Sequence, residues 1–174
     1  MNTKPKVAFI VQRSGNEVNG GAETECSMIA QLMSDCWDVE ILTTCALDYM
    51  TWQNYYPEGV EAAGNVKIRR FKVDYPRNIK KFNDYSNAVF SNLKNINLQE
   101  CEQWMKLQGP MSSKLLDYIS AHKRDYEALI FLHIRIAMAT IVSRMGSSLD
   151  PRSGLKMSRI SISSCKRSAV SSLC

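Results

Sequence analysis

The chain has 174 residues, of which 45% are hydrophobic and 22% charged, an ordinary composition for one globular domain. No stretch approaches the roughly 20 apolar residues of a membrane-spanning helix, and the apolar run behind the basic N-terminus is too short for a signal peptide. Six cysteines form no C-x-x-C pair and have no histidine at zinc-ligand spacing, so we expect reduced, cytoplasmic thiols.

The net charge of +5 is confined to the end of the chain. Residues 1–133 contain 15 Lys and Arg against 16 Asp and Glu, whereas residues 134–174 contain 7 against one. All 15 aromatic residues precede position 134, and 11 of the 41 residues after 133 are serine. We therefore predict a domain over 5–132 and a basic, Ser-rich, poorly ordered tail over 133–174. The balanced charge of the first part argues against nucleic-acid binding.

Strand and helix patterns alternate along the first part. The apolar run Lys6–Gln12 predicts a strand buried on both faces, and the apolar spacing over Ala22–Ser34 predicts an amphipathic helix. Further strands are predicted over Asp38–Thr43, Val66–Val73 and Glu127–Leu132, and further helices over Arg77–Leu93, Leu98–Leu107 and from Ser112 or Ser113 to about His122. This alternation predicts an α/β fold with a parallel sheet in which Lys6–Gln12 is a central strand.

Ligands bind such sheets outside the carboxyl ends of the strands, which directs attention first to the loop Arg13–Gly21. Its paired glycines, Gly20 and Gly21, allow close approach of the backbone, and the N–H groups at a helix start suit a phosphate or a sugar hydroxyl. The alternative is that the pair only makes a turn and that Asn19 caps the helix. The loop is neither G-x-G-x-x-G nor a P-loop, which disfavours dinucleotide binding and NTP hydrolysis.

The next loop, Thr44–Gly64, is unusually aromatic. Four aromatic residues fall within eight positions: Tyr49, Trp52, Tyr55 and Tyr56. Such rings stack on the C–H faces of sugars, and their polar tips form hydrogen bonds. The alternative is that at least two of the four pack the loop onto the domain. Asp48 and Glu58 are further candidates for binding hydroxyl groups, although loop carboxylates are more often solvated.

A short basic cluster follows on the strand Val66–Val73. Its members are Lys67, Arg69, Arg70 and Lys72. The pattern favours a solvated strand face, and the alternative is peripheral docking to an anionic membrane.

Three parts of the sequence together resemble the start of the bacterial family-4 glycosyltransferases, which are retaining enzymes of the GT-B fold. These parts are Val7–Gln12, Gly20-Gly21-Ala22-Glu23 and Asp38–Thr44. The stretches Ala46–Gly59 and Gln108-Gly109-Pro110 resemble one branch of that family, linked to polysaccharide assembly. The resemblance covers roughly residues 5–132.

The resemblance implies that this chain is a Rossmann-like, acceptor-side domain for a saccharide or lipid-linked acceptor. A C-terminal domain that the chain lacks would hold the nucleotide-sugar donor and the carboxylate motif Glu-x7-Glu, so the catalytic residues are unknown. The resemblance implies that the enzyme needs no metal and no other cofactor. It also implies a cytoplasmic enzyme, which would lie peripherally at the inner face of the membrane where the acceptor is a lipid. The predicted substrate-binding residues are Gly20, Gly21, Glu23, Tyr49 and Trp52. Neither His122 nor His133 is assigned a role.

The family pattern stops after Leu132, where composition also changes. We expect a reading-frame slip there, and the alternative is a genuine divergent tail. On this interpretation the chain alone transfers no sugar. Two other interpretations stay open: a non-catalytic nucleotide- or sugar-binding module, and a truncated product without function.

Overall fold

A computed structural model describes residues 4–132 of the chain. These residues divide into two compact units, one formed by 4–76 with 111–132 and the other by 77–110. The predicted tail, including His133 and the seam after Leu132, lies outside the described residues. No helix in the described part is long and apolar enough to cross a membrane.

The first unit is built on one five-stranded sheet. Its strands are β1 (Lys6–Ile10), β2 (Asp38–Thr44), β3 (Gly59–Ala63), β4 (Val66–Phe71) and β5 (Ala128–Phe131). They are ordered β3-β4-β2-β1-β5, and every neighbouring pair is parallel except the hairpin β3–β4. The predicted α/β fold is confirmed, and the predicted parallel sheet is found except at the antiparallel hairpin β3–β4. As its unbroken apolar run predicts, β1 is an interior strand with a parallel neighbour on each side.

Residues 4–132 also contain four α-helices. They are α1 (Gly21–Met33), α2 (Ile79–Ser91), α3 (Leu98–Gln108) and α4 (Ser113–His122). All four were predicted, with ends that differ by one or two residues. In the first unit, Cys26 and Ala30 of α1 pack on one face of the sheet, against Phe9 and Ile41. The other face is covered by α4, which packs against β2 and buries Ile119.

The second unit is a pair of helices, α2 and α3, with its own small core. Trp104 lies between the rings of Phe82 and Phe90, at centroid distances of 5.6 and 6.2 Å, and its indole N–H donates to Ser86 Oγ at 2.9 Å. Asn78 and Asn97 cap the two helices by accepting hydrogen bonds from backbone N–H groups three residues on.

Two strands differ from expectation. The predicted loop Thr44–Gly64 contains β3, whose largely exposed residues give no apolar pattern. The strand predicted over Glu127–Leu132 was expected to be buried, yet β5 is half-buried. Within the described residues β5 is an edge strand, because it pairs with β1 on one side and with no strand on the other. This edge position explains why β5 is less buried than expected.

The expected solvated face of β4 is wrong for two of its basic residues. Arg70 has a side chain only 3% exposed and pairs with Glu61 at 2.7 Å. Arg69 is half-buried and reaches across the sheet to Glu40 on β2. Lys67 and Lys72 fit the expectation, since both are exposed and the ion pair of Lys67 with Asp38 lies in solvent.

Glu40 is a fully buried carboxylate inside the sheet layer. Arg69 Nε donates to its Oε1 at 2.7 Å, while Lys6 Nζ and Tyr126 Oη lie 3.0 and 2.7 Å from its Oε2. Burial alone would raise the pKa of Glu40, but these three partners hold it below its ordinary value. Burial of the Tyr126 side chain and its contact with Glu40 raise the pKa of Tyr126. The carboxylate thus joins β1, β2, β4 and the segment just before β5.

Replacing Glu40 with Gln should lower the free energy of unfolding by about 1–3 kcal/mol, because Lys6 and Arg69 then lose their counter-charge at a buried position. The measurement is a urea titration at neutral pH. Glu127→Gln is the matched control, since Glu127 is exposed, and should change stability by less than about 0.5 kcal/mol.

The Glu40→Gln difference should also depend on pH. Since the folded-state pKa is depressed, the stabilisation is complete above the unfolded pKa of about 4.3 and is lost as pH falls through the folded value. A difference that stayed constant from about pH 7 to about pH 3 would contradict the ionised state of Glu40.

Candidate functional site

Two loops follow the carboxyl ends of β1 and β2 and meet at that edge of the sheet. We call residues 11–20 the first loop and residues 45–58 the second loop. The first loop leads into α1, whose N-cap is Gly20 in an extended conformation and without a side-chain cap. Asn19 therefore does not cap the helix, and that part of the alternative is wrong. The prediction that Gly20 and Gly21 stand at the helix start is confirmed.

A buried ion pair spans the first loop. Arg13 donates from Nε and Nη2 to Oε1 of Glu23, at 2.9 and 2.6 Å. The two side chains are only 9% and 11% exposed. Glu23, predicted as a substrate-binding residue, thus lies in the first turn of α1 with its carboxylate bound to an arginine. Sequence reasoning missed Arg13, although a charged residue directly after a buried strand was a visible signal.

The two glycines have different surroundings. A Cβ on Gly20 would overlap the Glu23 carboxylate and lie 3.1 Å from Arg13 Nη2, so a side chain there would have to displace the ion pair. A Cβ on Gly21 would meet no atom within 4 Å. Gly20 is therefore explained by packing, and Gly21 lines open space at the start of α1.

Arg13 also holds the second loop. Its Nη1 donates to the carbonyl oxygen of Leu47 at 3.1 Å, and its guanidinium carbon lies 5.6 Å from the centre of the Tyr49 ring. Asp48 stiffens the same segment by accepting hydrogen bonds from Met50 and Thr51. Burial acts to raise the pKa of Asp48, but these bonds hold it below the usual value.

A second buried arginine joins the two loops from beneath. Arg70 Nη2 donates to the carbonyl oxygen of Ser14 at 2.8 Å, and its guanidinium lies 4.5 Å from the centre of the Tyr56 ring. That ring covers Gly15, where a Cβ would lie 2.6 Å from Tyr56 Cζ. Tyr56 Oη also lies 3.5 Å from a Glu17 carboxylate oxygen. The two loops therefore form one continuous surface.

The four aromatic residues of the second loop divide into two kinds. Trp52 is 3% exposed and packs with Ala46 and Val73 at a positive φ of 56°, a conformation that its packing must hold. Trp52 and Tyr56 thus fasten the loop to the domain, as the packing alternative predicted for at least two rings. Tyr49 and Tyr55 are each 58% exposed and present their rings to solvent.

Other sequence candidates lie apart from Gly21. Glu58 pairs with Lys114 of α4 at 2.9 Å. This contact and the hydrogen bond from the Lys72 amide hold the pKa of Glu58 below its ordinary value, against the opposing effect of desolvation. His122 pairs with Asp125 at the end of α4. Within residues 4–132 no three His, Cys, Asp or Glu side chains come together as ligands for a metal ion.

No family model, curated protein or solved structure matches this chain.

Gly20→Ala and Gly21→Ala should differ in stability. The first should lower the free energy of unfolding by about 1–2 kcal/mol, because its Cβ displaces Glu23 from Arg13. The second should leave it unchanged or raise it by up to about 1 kcal/mol, because alanine fits the open position and restricts the unfolded chain. Urea titration of both variants measures this, and equal destabilisation would show that both glycines serve the turn.

Glu23→Gln should destabilise the first unit by about 1–3 kcal/mol, since Arg13 is left buried without its counter-charge. Glu25→Gln removes the same charge from an exposed position two residues away and serves as the control. Thermal unfolding of the two variants gives the comparison. Similar midpoints for both would mean that the buried pair adds nothing to stability.

Proposed function

We propose that this chain is the acceptor-side part of a retaining family-4 glycosyltransferase of the GT-B fold. The enzyme would transfer a sugar from a nucleotide sugar to a saccharide or lipid-linked acceptor in polysaccharide assembly. The observation that carries the proposal is the position of Gly21. It opens α1 at the carboxyl end of an interior parallel strand, with free space where a side chain would stand.

The strand order supports a Rossmann-like domain within this proposal. From β1 the chain proceeds to β2 and β4 on one side, and later returns to β5 on the other side. Open α/β sheets bind ligands at such a reversal, outside the carboxyl ends of the strands. The first loop leaves β1 at this point. The helices α1 and α4 cover opposite faces of the sheet, as a doubly wound sheet requires.

Backbone donors at the start of α1 supply the chemistry that the described residues offer. The first N–H groups of a helix have no acceptor within it, and Gly20 brings no side chain to cap them. Donors fixed in this way bind an oxygen of the substrate without reorganising. In the proposed enzyme the Glu-x7-Glu carboxylates and the nucleotide site belong to a second domain, so the active site would lie between two domains.

The location and partners belong to the same proposal. We place the enzyme in the cytoplasm, with peripheral contact at the inner face of the membrane where the acceptor is lipid-linked. The basic residues of β4 give this contact little support, since Lys67, Arg69 and Arg70 each pair with a carboxylate.

The first test is to read the genomic DNA beyond this coding sequence in all three frames. A frame encoding a half-domain with Glu-x7-Glu supports the transferase, and its absence supports a non-catalytic sugar- or nucleotide-binding module instead.

The second test is turnover by the protein that such a continuous frame encodes. Gly21→Val should lower nucleoside diphosphate release at least about tenfold, because the new side chain fills the space open to the substrate. Glu25→Gln should retain wild-type turnover, since it keeps the helix and the loop contacts. Unchanged turnover in Gly21→Val would show that the glycine pair serves only the turn.

A further inference from the structure

A pocket apart from Gly21 opens between β4 and α4, within the first unit. Its volume is about 450 Å³. Arg69 and Phe71 line it from the strand, and Lys114, Tyr118 and Ala121 line it from the helix. The proposed sugar transfer makes no use of this pocket.

Arg69 is the most firmly held of the charged groups in this pocket. Its Nε donates to the buried carboxylate of Glu40 at 2.7 Å. Its guanidinium carbon lies 4.7 Å from the centre of the Tyr118 ring, and that ring lies 5.2 Å from the ring of Phe71. A planar group held at one nitrogen and stacked on a ring keeps a single orientation, so its remaining donors are fixed in advance of binding.

Those remaining donors are unused. Within residues 4–132, Nη1 and Nη2 of Arg69 have no hydrogen-bond partner, and 29% of the side chain is exposed. The charge of Arg69 is not fully neutralised either, because Glu40 also pairs with Lys6. A guanidinium fork of this kind binds a carboxylate or a phosphate through two parallel hydrogen bonds. Arg69 therefore offers an anion-binding group to the pocket.

The other lining residues favour a carboxylate over a phosphate. Glu58 and Asp117 also line the pocket, and Lys114 is already paired with Glu58 at 2.9 Å. Two carboxylates at this distance repel a dianion about twice as strongly as a monoanion. Phe71 and Ala121 add apolar surface, which suits a ligand with an organic body beside its charged group.

We propose that the pocket between β4 and α4 binds a small organic monocarboxylate. The Nη1 and Nη2 groups of Arg69 donate to the carboxylate, while Phe71, Tyr118 and Ala121 contact the apolar body. The site is independent of the proposed sugar transfer, since it shares none of the residues assigned to that reaction.

The test uses the full 174-residue chain and a panel of three monocarboxylates: benzoate, phenylacetate and hexanoate. Each is compared with its primary amide, which has the same shape and no charge, and benzoate is also compared with phenyl phosphate. Saturation-transfer difference NMR measures binding. At least one carboxylate should bind in the millimolar range, as is usual for fragments of this size. Its amide should bind at least about tenfold more weakly, and so should phenyl phosphate.

Two variants locate the binding. Arg69→Lys keeps a positive charge beside Glu40 but removes the fork, and it should weaken carboxylate binding about tenfold. Ala121→Trp fills the pocket from an exposed helix position and should abolish binding. Ser120→Trp is the matched control, because Ser120 is exposed on the same helix and does not line the pocket. It should bind like the unmodified chain. Circular dichroism checks that each variant is folded, and if Arg69→Lys unfolds the comparison of the two tryptophan variants decides.

Three results overturn the proposal. No carboxylate of the panel binds, or the binding survives in Ala121→Trp, or phenyl phosphate binds more tightly than benzoate. The first shows that the pocket takes no such ligand, the second places the binding elsewhere on the chain, and the third assigns the pocket to a phosphate. None of these results bears on the proposed transferase, whose tests are the downstream reading frame and the turnover of Gly21→Val.

Discussion

A guanidinium group inside a protein must find hydrogen-bond acceptors and a counter-charge, because the loss of its hydration costs several kcal/mol. Arg13 satisfies this need with Glu23 and with the carbonyl oxygen of Leu47. One end of α1, the first loop and the second loop are therefore fixed by a single side chain. The absence of a Cβ at Gly20 follows from the same contact, since the carboxylate occupies that space.

Arg70 is a second buried arginine with the same requirements. Its counter-charge is Glu61, and its hydrogen-bond acceptor is the carbonyl oxygen of Ser14. Its guanidinium lies against the ring of Tyr56, which in turn lies over Gly15. Two loops that would otherwise be independent are held at both ends. The placement of the loop that carries the exposed tyrosines thus depends on two buried arginines beneath it.

The sequence predicted those elements whose signal is local. Three elements could be predicted from their own residues alone: β1 from its apolar run, α1 from the spacing of its apolar residues, and α4 from the serine that precedes it. The prediction from sequence failed for features that depend on contacts with residues distant in the chain. In the sequence, Glu40 is a single charged residue within the apolar strand β2. The neighbouring residues do not predict its contacts, because Lys6, Arg69 and Tyr126 are all distant in the chain.

The candidate site was predictable to a similar extent. The glycine pair was visible, because only a few backbone arrangements require two adjacent glycines. The division of labour between Gly20 and Gly21 was not, because it depends on where Arg13 and Glu23 meet. Likewise four aromatic residues in one loop give no sign of which rings are buried, since that is decided by partners such as Val73 and Arg70.

The two neighbours of β1 become available at very different moments of synthesis. Val7 pairs with Val39 on one side and with Ala128 on the other. While the ribosome is still translating the residues between these partners, the nascent sheet ends in the largely apolar strand β1, with one row of its backbone hydrogen-bonding groups unsatisfied. Such an edge recruits strands from other chains. The interior position of β1 thus leaves an apolar strand edge exposed for as long as the residues between β2 and β5 are being synthesised.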